Sequence, residues 1–204
     1  MAFTFFFRDT HVLDLIAEHV IPDLSGFSRV RVWDAGCAMG PEPYTLAIYF
    51  AEHMGKFAYR NLRIDASDID ESGNFREIIE AGVYASEGLQ RIPQNLLAKY
   101  FTKLDGTDAY IVVEEVRQRL VYHKHDLLTL QPIGSGYHLI LCKNVLLHFQ
   151  PAERVAVMKM FHQSLTVGGF FATEQTQKLP EELEPYFEQI TISGQLFRKR
   201  ECPV

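Results

Sequence analysis

Short apolar runs alternate along the chain with stretches in which apolar residues recur every third or fourth position, the pattern of strands alternating with amphipathic helices. Phe3 to Phe7 is an aromatic cluster broken only by Thr4. Asp9 or Thr10 can then cap a helix to about Val20, burying Val12, Leu13, Leu15, Ile16, His19 and Val20. Unshielded, such rings promote aggregation, so they are expected to cover the core or a ligand mouth. Val30 to Ala35 reads as a strand and Gly36 to Gly40 as a tight turn. A helix opens at Pro43, where a missing N–H costs nothing, with Tyr44, Leu46, Ala47, Ile48, Phe50 and Ala51 on its apolar side.

Further along, Leu62 to Asp68 reads as a second strand, Glu71 to Ala81 as a helix and Leu96 to Phe101 as a short helix. Residues 105–123 read as a small antiparallel insertion ending in a strand near Leu120 to His123, with a helix from Glu114 to Leu120 as the rival. Tyr137 to Cys142 is almost continuously apolar, as a strand covered on both faces should be. Pro151 opens a helix to about Thr166, Gly168-Gly169 ends it, and Phe170 to Thr173 is the next strand. Gln189 to Ile192 and Leu196 to Lys199, joined by Ser193-Gly194, read as a terminal hairpin. The order predicts a doubly wound α/β fold, its sheet mostly parallel with a terminal antiparallel hairpin. The 204 residues, 47% of them hydrophobic, suit a single domain over residues 1–204 with that small β insertion.

A formal net charge of −6 argues against a broad basic surface for nucleic acid or anionic lipid. No apolar run reaches the roughly 20 residues of a membrane helix, so membrane insertion is not expected and a cytoplasmic location is. Cys37, Cys142 and Cys202 show no framework spacing and read as free thiols, Cys37 as a small residue in a tight bend. His123, His125 and His138 lack a convincing ligand pattern, and no metal is assigned.

The candidate chemistry lies at predicted strand ends. The turn after Asp34 is neither G-x-G-x-x-G nor a P-loop, and Asp34 and Glu42 flank it with acids that suit a cation and repel a phosphate. In open α/β sheets an acid at the end of the second strand can bind both hydroxyls of a ribose, which nominates Asp68, with Asp70 as its rival and the better helix cap. Asp126 and Asn144 also fall at strand ends. An amine-bearing nucleoside fits these positions.

In order along nearly the whole chain, FFRD (Phe6 to Asp9), RVWDAGCAMGPEPYTLAI, ASDID (Ala66 to Asp70), VRQRLVYHKHDLL and LILCKNVLLHF resemble the chemotaxis receptor glutamate methyltransferases. The resemblance implies a class I methyltransferase fold that uses S-adenosylmethionine and releases S-adenosylhomocysteine. It implies that Ala35 and Gly36 pass the cofactor's methionine part, Glu42 receives its ammonium and Asp68 its ribose hydroxyls. Asp126 and Leu127 would flank the adenine, Asn144 would lie near the methionine and methyl group, and Lys143 is a further cofactor-binding candidate. Thr4 and Arg8 match N-terminal contacts to the cofactor and reacting centre, and Arg8 and His148 are the candidate catalytic residues. The implied acceptor is a protein carboxylate, as on a chemoreceptor.

Four features depart from the family pattern. The sequence starts only a few residues before FFRD, so the family's basic N-terminal helical domain is expected to be missing. Pro41 stands in for the first acid of G-E-E-P-Y, His148 for a tyrosine, and Glu174 to Gln177 for H-S-E. These departures keep open an S-adenosylmethionine or S-adenosylhomocysteine sensor without turnover and a methyltransferase with a small-molecule acceptor.

Overall fold

The computed structural model describes residues 4–201. Phe3 and Cys202 of the readings above lie outside the described residues. Seven strands form the main sheet: β1 (Val30–Ala35), β2 (Leu62–Asp68), β6 (Leu120–Lys124), β7 (Tyr137–Cys142), β8 (Leu165–Thr173), β9 (Phe187–Gln189) and β10 (Leu196–Lys199). Their order is β6-β2-β1-β7-β8-β10-β9, with the first five parallel and β10 antiparallel to both β8 and β9. Strands β3 (Val83–Ala85), β4 (Phe101–Lys103) and β5 (Ala109–Val112) make a separate antiparallel sheet. The doubly wound expectation holds.

Each central strand sends alternate residues into two apolar layers. Val30 and Val32 of β1 and Leu139 and Leu141 of β7 join the layer under α3 (Pro41–His53); Trp33, Ala35, Ile140 and Cys142 join the one under α8 (Pro151–Ser164). The chain first winds β1, β2, β6 to one side and then returns through β7 and β8 to the other, so the reversal lies between β1 and β7. Ligands bind outside the carboxyl ends of strands at such a reversal.

Several boundaries differ from the pattern-based reading. The first helix continues beyond Val20: α1 (Thr10–Leu15) runs through a π turn (Ile16–Val20) into α2 (Ile21–Leu24), where Pro22 starts a new turn and loses no bond. Helix α3 opens at Pro41, because Gly40 takes φ +103° as its N-cap and either proline is tolerated in a first turn. α4 (Lys56–Tyr59) is short, and α5 (Phe75–Ala81) begins four residues later than Glu71 because Asp70 first closes a turn, accepting from the Gly73 and Phe75 N–H groups. α6 spans Gln94–Tyr100.

The insertion is not residues 105–123: its sheet draws on residues 83–112, while β6 pairs in register with β2 and belongs to the main sheet. A short α7 (Glu114–Arg117) connects them, shorter than the rival helix. Gly168-Gly169 does not cap α8. The pair sits inside β8, with Gly168 at φ +72°, where the pairing with β7 shifts register between Tyr137 and Leu139. The terminal hairpin starts earlier, at Phe187 rather than Gln189. No helix of the described residues is long and apolar enough to cross a membrane.

The N-terminal rings serve the core. Phe6 is buried edge-on against Tyr84 and Phe101, and Phe7 lies against Tyr49. Burial pushes the Cys37 and Cys142 thiols up, aided at Cys37 by the nearby carboxyl groups of Asp34, Asp68 and Glu42, which suits space-filling rather than reactive thiols.

Candidate cofactor and acceptor site

At the carboxyl ends of β1, β2 and β7 lies a cavity of about 470 Å³, within the roughly 300–1,000 Å³ range of ligand pockets. Thr4, Arg8, Gly36, Ala38, Glu42, Asp68, Lys143, Asn144, Val145, Leu147 and His148 line it. Seven of the residues nominated from sequence as cofactor-binding, together with His148, thus meet in one place.

The turn after β1 forms the floor. Gly36 adopts φ +102°, and its N–H and that of Cys37 donate to Ser67 O at 2.7 and 3.0 Å, tying the turn to β2. A Cβ on Gly36 would fall 2.1 Å from Val145 Cγ2, so only glycine fits between turn and wall. Asp68 accepts from Ala38 N–H (2.9 Å) on one carboxylate oxygen and from Asp70 N–H (3.2 Å) on the other. Both bonds come from the protein backbone, which fixes the carboxylate plane and leaves each oxygen a further lone pair for a hydroxyl donor. Asp70 itself is buried and spent on its turn, which leaves Asp68 as the strand-end acid that lines the cavity.

Beside the floor, Lys143 is buried with its Nζ 3.0 Å from Glu42 Oε2, and it donates to Arg8 O at 3.0 Å. Glu42 Oε1 and both carboxyl oxygens of Asp34 are buried without a donor, and burial and the neighbouring Glu42 push the Asp34 carboxyl up. Acids with unsatisfied buried oxygens at the end of a strand fit the amine of a nucleoside ligand.

The mouth is built by two strained segments. Arg8 sits between Phe7 (φ +57°) and Asp9 (φ +50°), and Asn144 takes φ +58°. Non-glycine residues hold such conformations only where their surroundings enforce them. Here Phe7 N–H donates to Thr45 Oγ1 at 3.1 Å, Lys143 grips Arg8 O, and Asn144 N–H donates to the buried Glu174 at 3.0 Å. The Arg8 guanidinium lies 3.6 Å from Asp9, and Arg154 bonds to Leu147 O and Phe149 O, holding the loop that carries His148. His148 is exposed at the rim.

Three nominated residues stand apart from the cavity lining. Ala35 is fully buried in the layer under α8, as alternation along β1 requires. Asp126 accepts from Leu128 N–H to cap a one-turn helix, and Leu127 packs into the same buried layer. Conversely, Ala38, Val145 and Leu147 line the cavity without having been nominated. Ala38 could have been found from its place inside the glycine turn, whereas the reach of Val145 and Leu147 depends on the loop after β7.

A family model, the CheR methyltransferase SAM-binding domain, matches residues 2–195. A protein of Rhizobium etli named a probable chemotaxis protein methyltransferase is 27% identical over 94% of this chain and 73% of its own length. The chemotaxis protein methyltransferase of Listeria innocua serovar 6a is 33% identical over 80% of this chain, which spans only 60% of that protein. Among solved structures, the rRNA methyltransferase aviRa of Streptomyces viridochromogenes shares the fold, with a TM-score of 0.56, 13% identity, and coverage of 95% of this chain and 85% of that one. With a cavity whose acids fit an amine-bearing nucleoside and a family match over almost its whole length, the chain belongs to the CheR methyltransferases and contains that family's S-adenosylmethionine-binding domain.

Proposed function

We propose that this domain transfers a methyl group from S-adenosylmethionine to a carboxylate of a protein, a chemoreceptor glutamate being the acceptor that suits the family, and that it acts in the cytoplasm. The observation that carries this reading is Arg8 at the mouth of a cavity whose other wall holds Glu42 and Asp68. The names of the Rhizobium and Listeria relatives support a protein acceptor in chemotaxis.

When bound, the cofactor supplies an electrophilic methyl group on a positively charged sulfur. The residues of the chain supply placement. Glu42 and Asn144 receive the amino-acid end and Asp68 the ribose. A glutamate carboxylate is already ionised at neutral pH, so no strong base is needed. The planar fork of Arg8 holds one acceptor oxygen and leaves the other to approach in line, at roughly 3 Å, an arrangement that lowers a barrier by several kcal/mol. Val145 and Leu147 keep that approach apolar.

The imidazole of His148 at the rim favours a second reading, an acceptor whose nitrogen or hydroxyl nucleophile must first lose a proton. One experiment separates them: incubation with methyl-labelled cofactor and host lysate. Label on protein that mild base releases as methanol is a carboxyl ester and supports the first reading. Base-stable label on protein or small molecules supports the second. No transferred label, with the cofactor bound in calorimetry, rejects both and leaves a sensor.

A further inference from the structure

The buried carboxyl group of Asp34 has no role in the scheme above. Asp34 follows Val30 and Val32 in the row of β1 side chains that faces α3, a row otherwise apolar, and it is 0% exposed. Five charged or titratable groups face it: Glu42 of α3, Lys143 beyond β7, Asp68 at the end of β2, the Cys37 thiol in the turn and the Cys142 thiol at the end of β7. Asp34 and Glu42 lie within hydrogen-bonding reach of each other. Neither Asp34 oxygen nor Glu42 Oε1 meets an N–H or O–H donor.

Two carboxylates in contact inside a protein cannot both remain ionised. A single proton resolves both the repulsion and the missing donor. The Lys143 ammonium, 3.0 Å from Glu42 Oε2, keeps the negative charge on Glu42, so the proton resides on Asp34. We propose that Asp34 is a positioning residue for the cofactor's amine: as a carboxylic acid it donates a hydrogen bond to Glu42 and, together with Lys143, fixes the Glu42 carboxylate to receive that amine. The acid that Pro41 removes from the start of α3 is thereby replaced from the strand beneath it. A neutral donor below and a cation beside Glu42 hold one carboxylate in one pose, whereas a second free carboxylate would compete with it for Lys143 and for the ligand.

This inference rests on the cofactor reading, and its test keeps the two apart. The whole domain is titrated calorimetrically with S-adenosylhomocysteine, which carries the amine, and with 5′-methylthioadenosine, which has the adenosine and the sulfur but no amino-acid end. Asp34→Ala should weaken S-adenosylhomocysteine by about tenfold or more, the effect of losing a hydrogen bond to a charged group, and change methylthioadenosine by no more than about twofold. Asp34→Asn keeps a donor of the same shape and should stay within about threefold of the parent for S-adenosylhomocysteine. Urea unfolding of each variant reads any loss of fold separately. Equal weakening of both ligands, no weakening, or an Asp34→Asn variant no better than Asp34→Ala overturns the proposal. A parent domain that binds neither ligand overturns the cofactor reading instead.

Discussion

Gly36→Ala tests whether the floor of the site is set by backbone conformation, by contact with the opposite wall, or by both. At φ +102° an alanine is strained by about 1–3 kcal/mol. Its methyl would also lie 2.1 Å from Val145 Cγ2, an overlap that Val145 can escape only by leaving its rotamer, at about 1–3 kcal/mol. The lower conformational freedom of alanine in the unfolded chain returns about 0.4–1 kcal/mol, so the net loss should be about 1–5.6 kcal/mol, a sizeable share of a typical domain's stability. Val145→Ala removes Cγ2 and leaves Cβ 3.3 Å from the added methyl, a tight but tolerable contact. Urea midpoints of the parent, both single variants and the double variant form a cycle. The reasoning requires Gly36→Ala to cost about 1–3 kcal/mol less in the Val145→Ala background than in the parent, the steric part. An equal cost in both backgrounds refutes the steric part, and a cost near zero in the parent refutes both.

Three other outcomes follow from the same geometry. Arg8→Ala should lower turnover by about a hundredfold or more while cofactor affinity is largely kept, with Arg8→Lys a partial rescue, because lysine loses the planar fork; unchanged turnover rejects the alignment role, and a parallel collapse of binding reassigns Arg8 to the cofactor. Asp68→Ala should weaken S-adenosylhomocysteine by about 1.5–3 kcal/mol, whereas Asp70→Ala, which strands the buried Phe75 N–H and frees that of Gly73, should mainly lower stability by about 1–3 kcal/mol; calorimetry and thermal melts on both variants decide, and the reverse assignment sinks the ribose role. Burial acts to raise the Asp65 carboxyl, but hydrogen bonds from His123, Arg63 and Arg31 outweigh it and hold the group well below the usual carboxylate range. A depressed acid contributes stability above its unfolded pKa, so the advantage of the parent over Asp65→Asn, about 2–3 kcal/mol at pH 7, should shrink as pH falls below about 4, and a pH-independent difference would contradict this.

Much of the cofactor half was legible because its signals are local. A β-strand with Asp34 next to its last residue, a glycine turn and an acid in the first turn of the next helix are all set by neighbours in sequence. The same holds for β2, found with its boundaries intact, and for Asp70, which closes the turn before the next helix while Asp68 lines the cavity. The misplaced boundaries share the opposite cause. Pro41 and Pro43 are equally good first-turn residues, and only the left-handed Gly40 decides between them. The Gly168-Gly169 pair looks like a helix stop until β7 is present to show the register shift it accommodates. The small sheet was misdrawn because Val83–Ala85 carries too short a pattern to be seen without β5 as its partner.

The acceptor half depends on contacts between segments far apart in sequence, and Lys143 shows why these could not be read from pattern. Its ammonium joins Arg8 O, Glu42 Oε2 and its own loop beyond β7, so one buried cation ties the N-terminal segment that carries the proposed acceptor clamp to the residue proposed to receive the amine. In three dimensions the point-like ammonium of a side chain that is 1% exposed reaches two partners, and in the proposal above it leaves Asp34 to supply the remaining donor to Glu42. The placement of Arg8 at the mouth and the ordering of Glu42 on the floor are therefore two ends of the same set of contacts.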